Sequence, residues 1–475
     1  MSLTALKNWL KYQERLARGL LKEFSDLFQD KTEIAEVRKR TLELVPFWVA
    51  AGATGAISVI YARSFHYAEQ LSSRIFQEIG DWSFLFVPTG FVLAWLLVEK
   101  AAPFSNGSGI PQLMAASTVA PQESRESQSL IRRLLGFRVI IVKFLSSMLL
   151  VVSGGAIGRE GPTLQIAGSV FYITSKVFPK QWLAKNLQGL LLAGGAAGLA
   201  SAFNTPLGGI AYVVEELGKT HLNSFRTGML HAVIVAGFIA QTLVGPYLYL
   251  GYPKFDSFQW PDIPWAIVLA ILAAVIGTLF GQGLKAVFQW RSRITKLSQK
   301  ILLAAGAGLL FCALIRFGSQ EYRASGTELL NRLLFSSTDG SAEIVDVVGR
   351  FFGPLLSYMS GAAGGIFAPV LALGGTAGSA FANLFDVPMG GLAVLVGMTA
   401  ALAALTHSPF TSFVLILEMT DRHSAIFPLM LAAVIGHGVS KMISRTSFYE
   451  FVAAKILAQH GFQEDETHAP SEKTK

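Results

Sequence analysis

Uncharged apolar runs set the pattern of this chain. They fall at 44–62, 82–98, 186–214, 227–253, 263–284, 351–385 and 387–417, with charged residues collected between them. A run of about 20 apolar residues is long enough to cross a bilayer as a helix, so the pattern predicts an all-α polytopic membrane protein. The runs at 351–385 and 387–417 exceed one span and are interrupted by Gly and Pro. Broken or re-entrant helices are predicted there rather than straight rods. The stretch 3–28 differs: Leu3, Leu6, Trp9, Leu10, Leu16, Leu20, Phe24 and Phe28 recur at largely helical spacing, with Lys7, Lys11, Arg15, Arg18 and Lys22 on other faces. It reads as an interfacial helix on the cytoplasmic leaflet, with a soluble helix packed on the body as the alternative. The polar stretch 121–138 reads as a surface connection.

One apolar stretch holds an isolated charged pair. Residues 144–175 carry no charge apart from Arg159 and Glu160, which sit within Gly158-Arg159-Glu160-Gly161-Pro162-Thr163. Proline lacks the N–H that would go unpaired at a helix start, so a helix is predicted to begin at Pro162. Glycines ahead of it let backbone N–H groups approach a ligand closely, and the helix dipole attracts anions to that end. Glu160 then becomes a tethered anion beside an anion site. The plainer alternative is a glycine turn with two solvated charges. Arg159, next to it in sequence, is predicted to face elsewhere and anchor the loop. Gly107-Ser108-Gly109-Ile110-Pro111 repeats the pattern, with the Ser108 hydroxyl as a donor suited to a dehydrated anion.

The second half uses the same vocabulary. Gly364-Gly365-Ile366-Phe367-Ala368-Pro369 matches the stretch around Glu160 with apolar residues in place of the charges. His407-Ser408-Pro409 through Glu418 matches Asn204-Thr205-Pro206 through Glu215 at a separation of 203, and Pro369 follows Pro162 at 207. An internal duplication is predicted, and paired Gly/Pro-interrupted segments point to a midplane site built from half-helix ends. Glu215 and Glu216 read either as the solvated end of a helix or as functional carboxylates. The small residues of Gly194-Gly195-Ala196-Ala197-Gly198 are predicted to allow close helix packing. His407 reads as a buried, hydrogen-bonded residue, because no other ligand stands at metal spacing.

Composition fits this picture: 52% of the 475 residues are hydrophobic and 15% charged. The net charge of +8 does not indicate nucleic acid, because the basic residues flank apolar runs at 38–40, 132–133, 291–300, Lys441 and Arg445. Such clusters mark the cytoplasmic side. The first forty residues are charged and amphipathic, so no cleavable signal is expected. The single cysteine, Cys312, excludes an intrachain disulfide. No metal or cofactor motif is present. A hydrolase using Ser108 as nucleophile would need a base, and no His lies near it in sequence.

These motifs, with Tyr449 in Ser447-Phe448-Tyr449, resemble those of the CLC family of chloride channels and chloride/proton antiporters. The likeness runs from about Leu44 to about Leu457. It implies an inverted-repeat helical fold and a homodimer in lipid with one chloride pathway per subunit. It also implies anion contacts from Ser108, Gly109, Glu160, Gly161, Ile366, Phe367 and Tyr449. Glu160 matches the family's gating glutamate and Glu216 its internal proton glutamate, which favours H+/Cl− exchange over a passive gated channel. Nitrate-preferring members commonly carry proline where this chain has Ser108, so chloride is the expected anion. Gln112 departs from the glutamate that many members carry, and the residues after Tyr449 leave no room for the nucleotide-binding domains found in others. The expected organisation is a cytoplasmic N-terminal helix at 1–41, a membrane domain at 42–458 with repeats at roughly 42–250 and 260–458, and a polar cytoplasmic tail at 459–475. The expected location is a prokaryotic cell membrane.

Overall fold

The computed structural model describes residues 31–179, 182, 187–217, 226–245, 248–253, 258–335 and 341–462. The helix expected at 3–28 and the tail beyond 462 lie outside the described residues. In chain order the helices are α1 (Lys31–Glu78), α2 (Ser83–Ala101), α3 (Ile110–Val119), α4 (Arg125–Leu134), α5 (Phe137–Val152), α6 (Glu160–Val177), α7 (Leu187–Phe203), α8 (Pro206–Tyr212) and α9 (Arg226–Val244). The second half contributes α10 (Ile263–Ser292), α11 (Leu297–Phe317), α12 (Thr327–Phe335), α13 (Ile344–Ser360), α14 (Phe367–Leu384), α15 (Gly391–Thr406), α16 (Pro409–Thr420), α17 (Ile426–Ile443) and α18 (Phe448–Gln459). Among the described residues, eight helical segments are long and apolar enough to cross a membrane.

The long apolar runs break where their sequences predict. The run at 351–385 divides at Gly361, which has φ +81° and closes α13. The runs at 186–214 and 387–417 divide at Asn204 and His407, with φ of +57° and +60°. These residues stand 203 apart and each is followed by a Thr/Ser-Pro pair that opens the next short helix. A left-handed residue reverses the chain after one helix and proline opens the next without losing a hydrogen bond. At 16 and 12 residues, α15 and α16 are too short to span alone.

Two expectations change. The stretch 121–138 is not a plain connection: it contains α4, capped by the Ser124 hydroxyl accepting from the Ser127 N–H at 3.0 Å, with Leu130, Ile131 and Leu134 buried. Its polar residues hide an apolar stripe at helical spacing. And α6 begins at Glu160, two residues before Pro162. Proline is tolerated in the third position because N–H groups throughout the first turn lack helical partners.

The interior is held by small residues. In the pair α6/α7, a Cβ at Gly198 would fall 2.7 Å from that of Ala167. In α14/α15, one at Gly374 would fall 2.5 Å from the Gly397 carbonyl. In lipid, where no hydrophobic force drives helices together, such close approach supplies the dispersion contact that holds them.

Candidate functional site

Three helices of the two halves begin at one point. The loop before α6 pairs with the loop before α14 through Gly158 N–H to Gly365 O and Gly365 N–H to Gly158 O, both 2.8 Å. The loop before α3 joins the second of these through Gly107 N–H to Ala362 O and Gly364 N–H to Gly107 O, both 3.0 Å. Gly109, at φ +102°, takes a conformation open to glycine, and a Cβ there would lie 2.9 Å from the Gly161 carbonyl. At Gly161 a Cβ would collide with Ser108 Oγ. Only glycine lets these backbones come so close.

In α6 and α14 the third residue is proline, and the first regular bonds run from Thr163 N to Arg159 O at 2.9 Å and from Val370 N to Ile366 O at 3.1 Å. The N–H groups ahead of these have no partner within their own helices. Several partial positive charges of backbone N–H groups therefore converge. Ser108 and Tyr449 are buried, and among the described residues neither hydroxyl has a hydrogen-bond partner outside this pair. They are brought together because α18 packs against α3. A buried hydroxyl hydrogen without an acceptor is costly, so this pair beside helix N-termini forms a receptor for an acceptor-only ligand such as an anion.

Glu160 is fully buried beside this cluster. Its Oε1 accepts a hydrogen bond from the Tyr249 hydroxyl at 3.1 Å, and its Oε2 has none among the described residues. Contrary to the expectation that Arg159 faces elsewhere, Arg159 Nε lies 4.0 Å from Glu160 Oε1. The reason is the helix start: Arg159 is the N-cap, outside the regular helical spacing that would separate neighbours. Beyond Glu160 a cavity of about 440 Å³ opens, lined among others by Glu69, Arg159, Tyr249, Arg323 and Thr327.

On the other side of the cluster, Glu216 is 2% exposed, which removes the reading of a solvated helix end. Its carboxylate accepts from Ser408 Oγ at 2.7 Å and from Ser447 Oγ at 3.4 Å. Ser447 caps α18, so Glu216 is tied to the turn that carries Tyr449. Glu215 does different work. It accepts from the Phe410 and Thr411 N–H groups at 3.0 and 2.7 Å, at the start of α16. Glu418, its counterpart in the other half, accepts from the Leu207 and Gly208 N–H groups at 3.1 and 2.8 Å, at the start of α8. The two halves cap each other's short helices. His407 is buried and hydrogen-bonded as expected, with Nε2 2.8 Å from Ser440 Oγ.

Several contributors were not singled out from sequence. Lys143 is fully buried and donates to the carbonyls of Ser105 and Gly107 at 2.9 and 2.8 Å, which fixes the loop before Ser108. A lone lysine in the apolar helix α5 was the available signal. Tyr249 lies in a short connection with nothing to mark it. Phe203 joins them, its ring centroid 4.9 Å from Tyr249 and 5.4 Å from Phe367. Gln112 donates to the Asn106 carbonyl at 2.9 Å, which stiffens the same loop from the other side.

Comparison with known proteins gives a consistent result. The profile of the family described as voltage gated chloride channel matches residues 90–441. The H(+)/Cl(-) exchange transporter ClcA of Salmonella paratyphi A is 28% identical over 433 residues, covering 86% of this chain and 88% of that protein. The crystal structure of a slow cyanobacterial Cl-/H+ antiporter superposes with a TM-score of 0.75 at 26% identity, over 88% of this chain and 99% of the other. A CLC-type fluoride/proton antiporter shares the fold, with a TM-score of 0.72 at 20% identity over 89% of this chain and 99% of the other. With broken helices, paired halves and the family profile in agreement, the chain belongs to the CLC family of voltage gated chloride channels.

Proposed function

We propose that this protein is a secondary antiporter that exchanges chloride for protons across a cell membrane. The observation that carries the proposal is Glu160: a buried carboxylate at the start of α6, where uncharged donors converge. Full cations would trap an anion in low dielectric, whereas N–H groups and the Ser108 and Tyr449 hydroxyls bind it gently enough to release it. The ionised carboxylate of Glu160 competes with chloride for those donors. Once protonated it no longer competes, so anion occupancy and protonation are linked, and linkage works in both directions.

A proton needs a second station on the far side of the anion site. Glu216 supplies it, buried and held by Ser408 and Ser447. The likeness to two proteins described as Cl−/H+ exchangers supports exchange rather than passive conduction. Ion transfer of this kind makes no covalent bond, and the protein is read as a transporter, not an enzyme. The basic clusters at 132–133, 291–300, Lys441 and Arg445 support a cytoplasmic Glu216 side, with both termini on it. A homodimer with one pathway per subunit completes the reading. Exposed apolar faces on α9 and α17, such as Ile234 and Phe427, are available to lipid or to a second copy.

Reversal potentials in reconstituted bilayers under combined chloride and pH gradients test the proposal. An antiporter's reversal potential moves with both gradients. A potential that follows chloride alone would assign a channel.

A further inference from the structure

Glu160 is fully buried, and its Tyr249 hydrogen bond begins an unbroken chain. Tyr249 Oη lies 3.1 Å from Glu160 Oε1 and 3.3 Å from Thr327 Oγ1. Thr327 Oγ1 lies 3.0 Å from Ser325 Oγ, and Ser325 Oγ lies 2.6 Å from Glu69 Oε1. Glu69 is partly exposed on the wall of the vestibule and is held in place by a second bond from the Ser325 N–H at 3.2 Å. We infer that Glu69 is the vestibule-side proton port of this transporter, joined to Glu160 by a relay of three hydroxyls: Ser325, Thr327 and Tyr249. The inference rests on the reading of Glu160 as the protonatable gate.

The hydrogen count suits a relay. Four oxygen–oxygen links join the two carboxylates, and the three hydroxyls bring three hydrogens. With both carboxylates ionised, one link lacks a hydrogen. One proton added at either end fills every link. When Glu69 carries it, Glu69 donates to Ser325, Ser325 to Thr327, Thr327 to Tyr249 and Tyr249 to Glu160. Each hydroxyl then releases its own hydrogen and accepts one from its neighbour. The O–H bond of Glu69 breaks, one forms on Glu160, and the hydroxyls are unchanged in composition. Reversal returns a proton to the vestibule.

Glu160, Tyr249, Thr327, Ser325 and Glu69 all line the same cavity, so the hydroxyls run along its wall from one carboxylate to the other. Phe203 packs edge-on against Tyr249 at 4.9 Å and closes the side of the relay toward the helix core. The charged groups around Glu69 are mixed: Arg323, Arg350, Arg159 and His66 share the cavity with Glu321 and Glu328. No surplus of acid there would make Glu69 interchangeable with a neighbour.

The test uses the full-length protein in liposomes, with chloride efflux and proton uptake recorded together. Glu69→Gln, Thr327→Val and Tyr249→Phe are each expected to slow coupled proton uptake about a hundredfold, the lower end of the scale for a lost positioned proton-transfer group. A chain is broken only once, so the double variant Glu69→Gln/Thr327→Val should be no slower than either single variant. Thr327→Ser, which keeps the hydroxyl, should restore the rate lost in Thr327→Val, which a packing defect would not permit. On the Glu160→Gln background, where uptake no longer uses the relay, adding Thr327→Val should leave chloride flux as it is in Glu160→Gln alone. Wild-type proton uptake in all three single variants, or additive losses in the double variant, would overturn the relay while leaving Glu160 as the gate. Coupled proton uptake persisting in Glu160→Gln would overturn the gate and the relay together.

Discussion

α6 and α14 begin at equivalent places, 207 residues apart, yet one opens on Glu160 and the other on Phe367. Both carry proline in the third position, and their loops pair through Gly158 and Gly365. The duplicated framework is symmetric, while the chemistry placed on it is not. Glu215 and Glu418 show the opposite case, a pair of equivalent carboxylates with the same structural task on each other's helices. Symmetry therefore separates two kinds of acid: those with a counterpart, Glu215 and Glu418, cap each other's helices, and those without one, Glu160 and Glu216, are the ones we propose carry protons.

The sharpest way to break this comparison is to neutralise the acid without a counterpart. Glu160→Gln is expected to abolish coupled proton uptake while chloride flux persists, measured by fluorescence-detected uptake driven by a chloride gradient. Glu216→Gln should likewise keep chloride transport, with coupled proton uptake down about tenfold or more. Glu215→Gln should impair coupling less, because its carboxylate caps α16. Paired efflux and uptake assays on the two variants check this, and equal losses of coupling would erase the distinction.

The symmetric acids should reveal themselves in stability. Glu215→Ala and Glu418→Ala each leave two backbone N–H groups of a short helix without their partner. A loss of about 1–3 kcal/mol is expected for each, read as similar decreases in thermal midpoint in detergent. A large loss for one and none for the other would show that the capping is not reciprocal. The smallest effect is expected at Ser108→Pro, which removes a hydroxyl donor from the anion site. Chloride should weaken by several-fold relative to nitrate in competition flux, about 1 kcal/mol for one uncharged hydrogen bond.

Much of this architecture is legible in the sequence. Helix breaks follow from Gly and Pro, whose backbone constraints are local, so the divisions at Gly361, Asn204 and His407 lay in runs too long for one span. The separation of 203 residues linked Glu215 to Glu418, but only the fold shows that each caps the other's partner helix. That contact runs between elements far apart in sequence, and periodicity carries no trace of it. Ser108, Glu160, Glu216 and Tyr449 stood out by motif, whereas Tyr249 and Glu69 did not, because a tyrosine in a short connection and a glutamate on a long helix look ordinary. Arg159 stands just outside the helix as its N-cap, where helical spacing no longer separates neighbours, so sequence spacing does not predict its approach to Glu160.

The central claim is that Glu160 and chloride compete for the same donors, and chloride binding by calorimetry in the wild type and in Glu160→Gln tests it most directly. With the competing carboxylate removed, chloride should bind about tenfold more tightly, near 1.4 kcal/mol. Equal affinity in the two proteins would contradict the claim, because the carboxylate would then not share the anion's site.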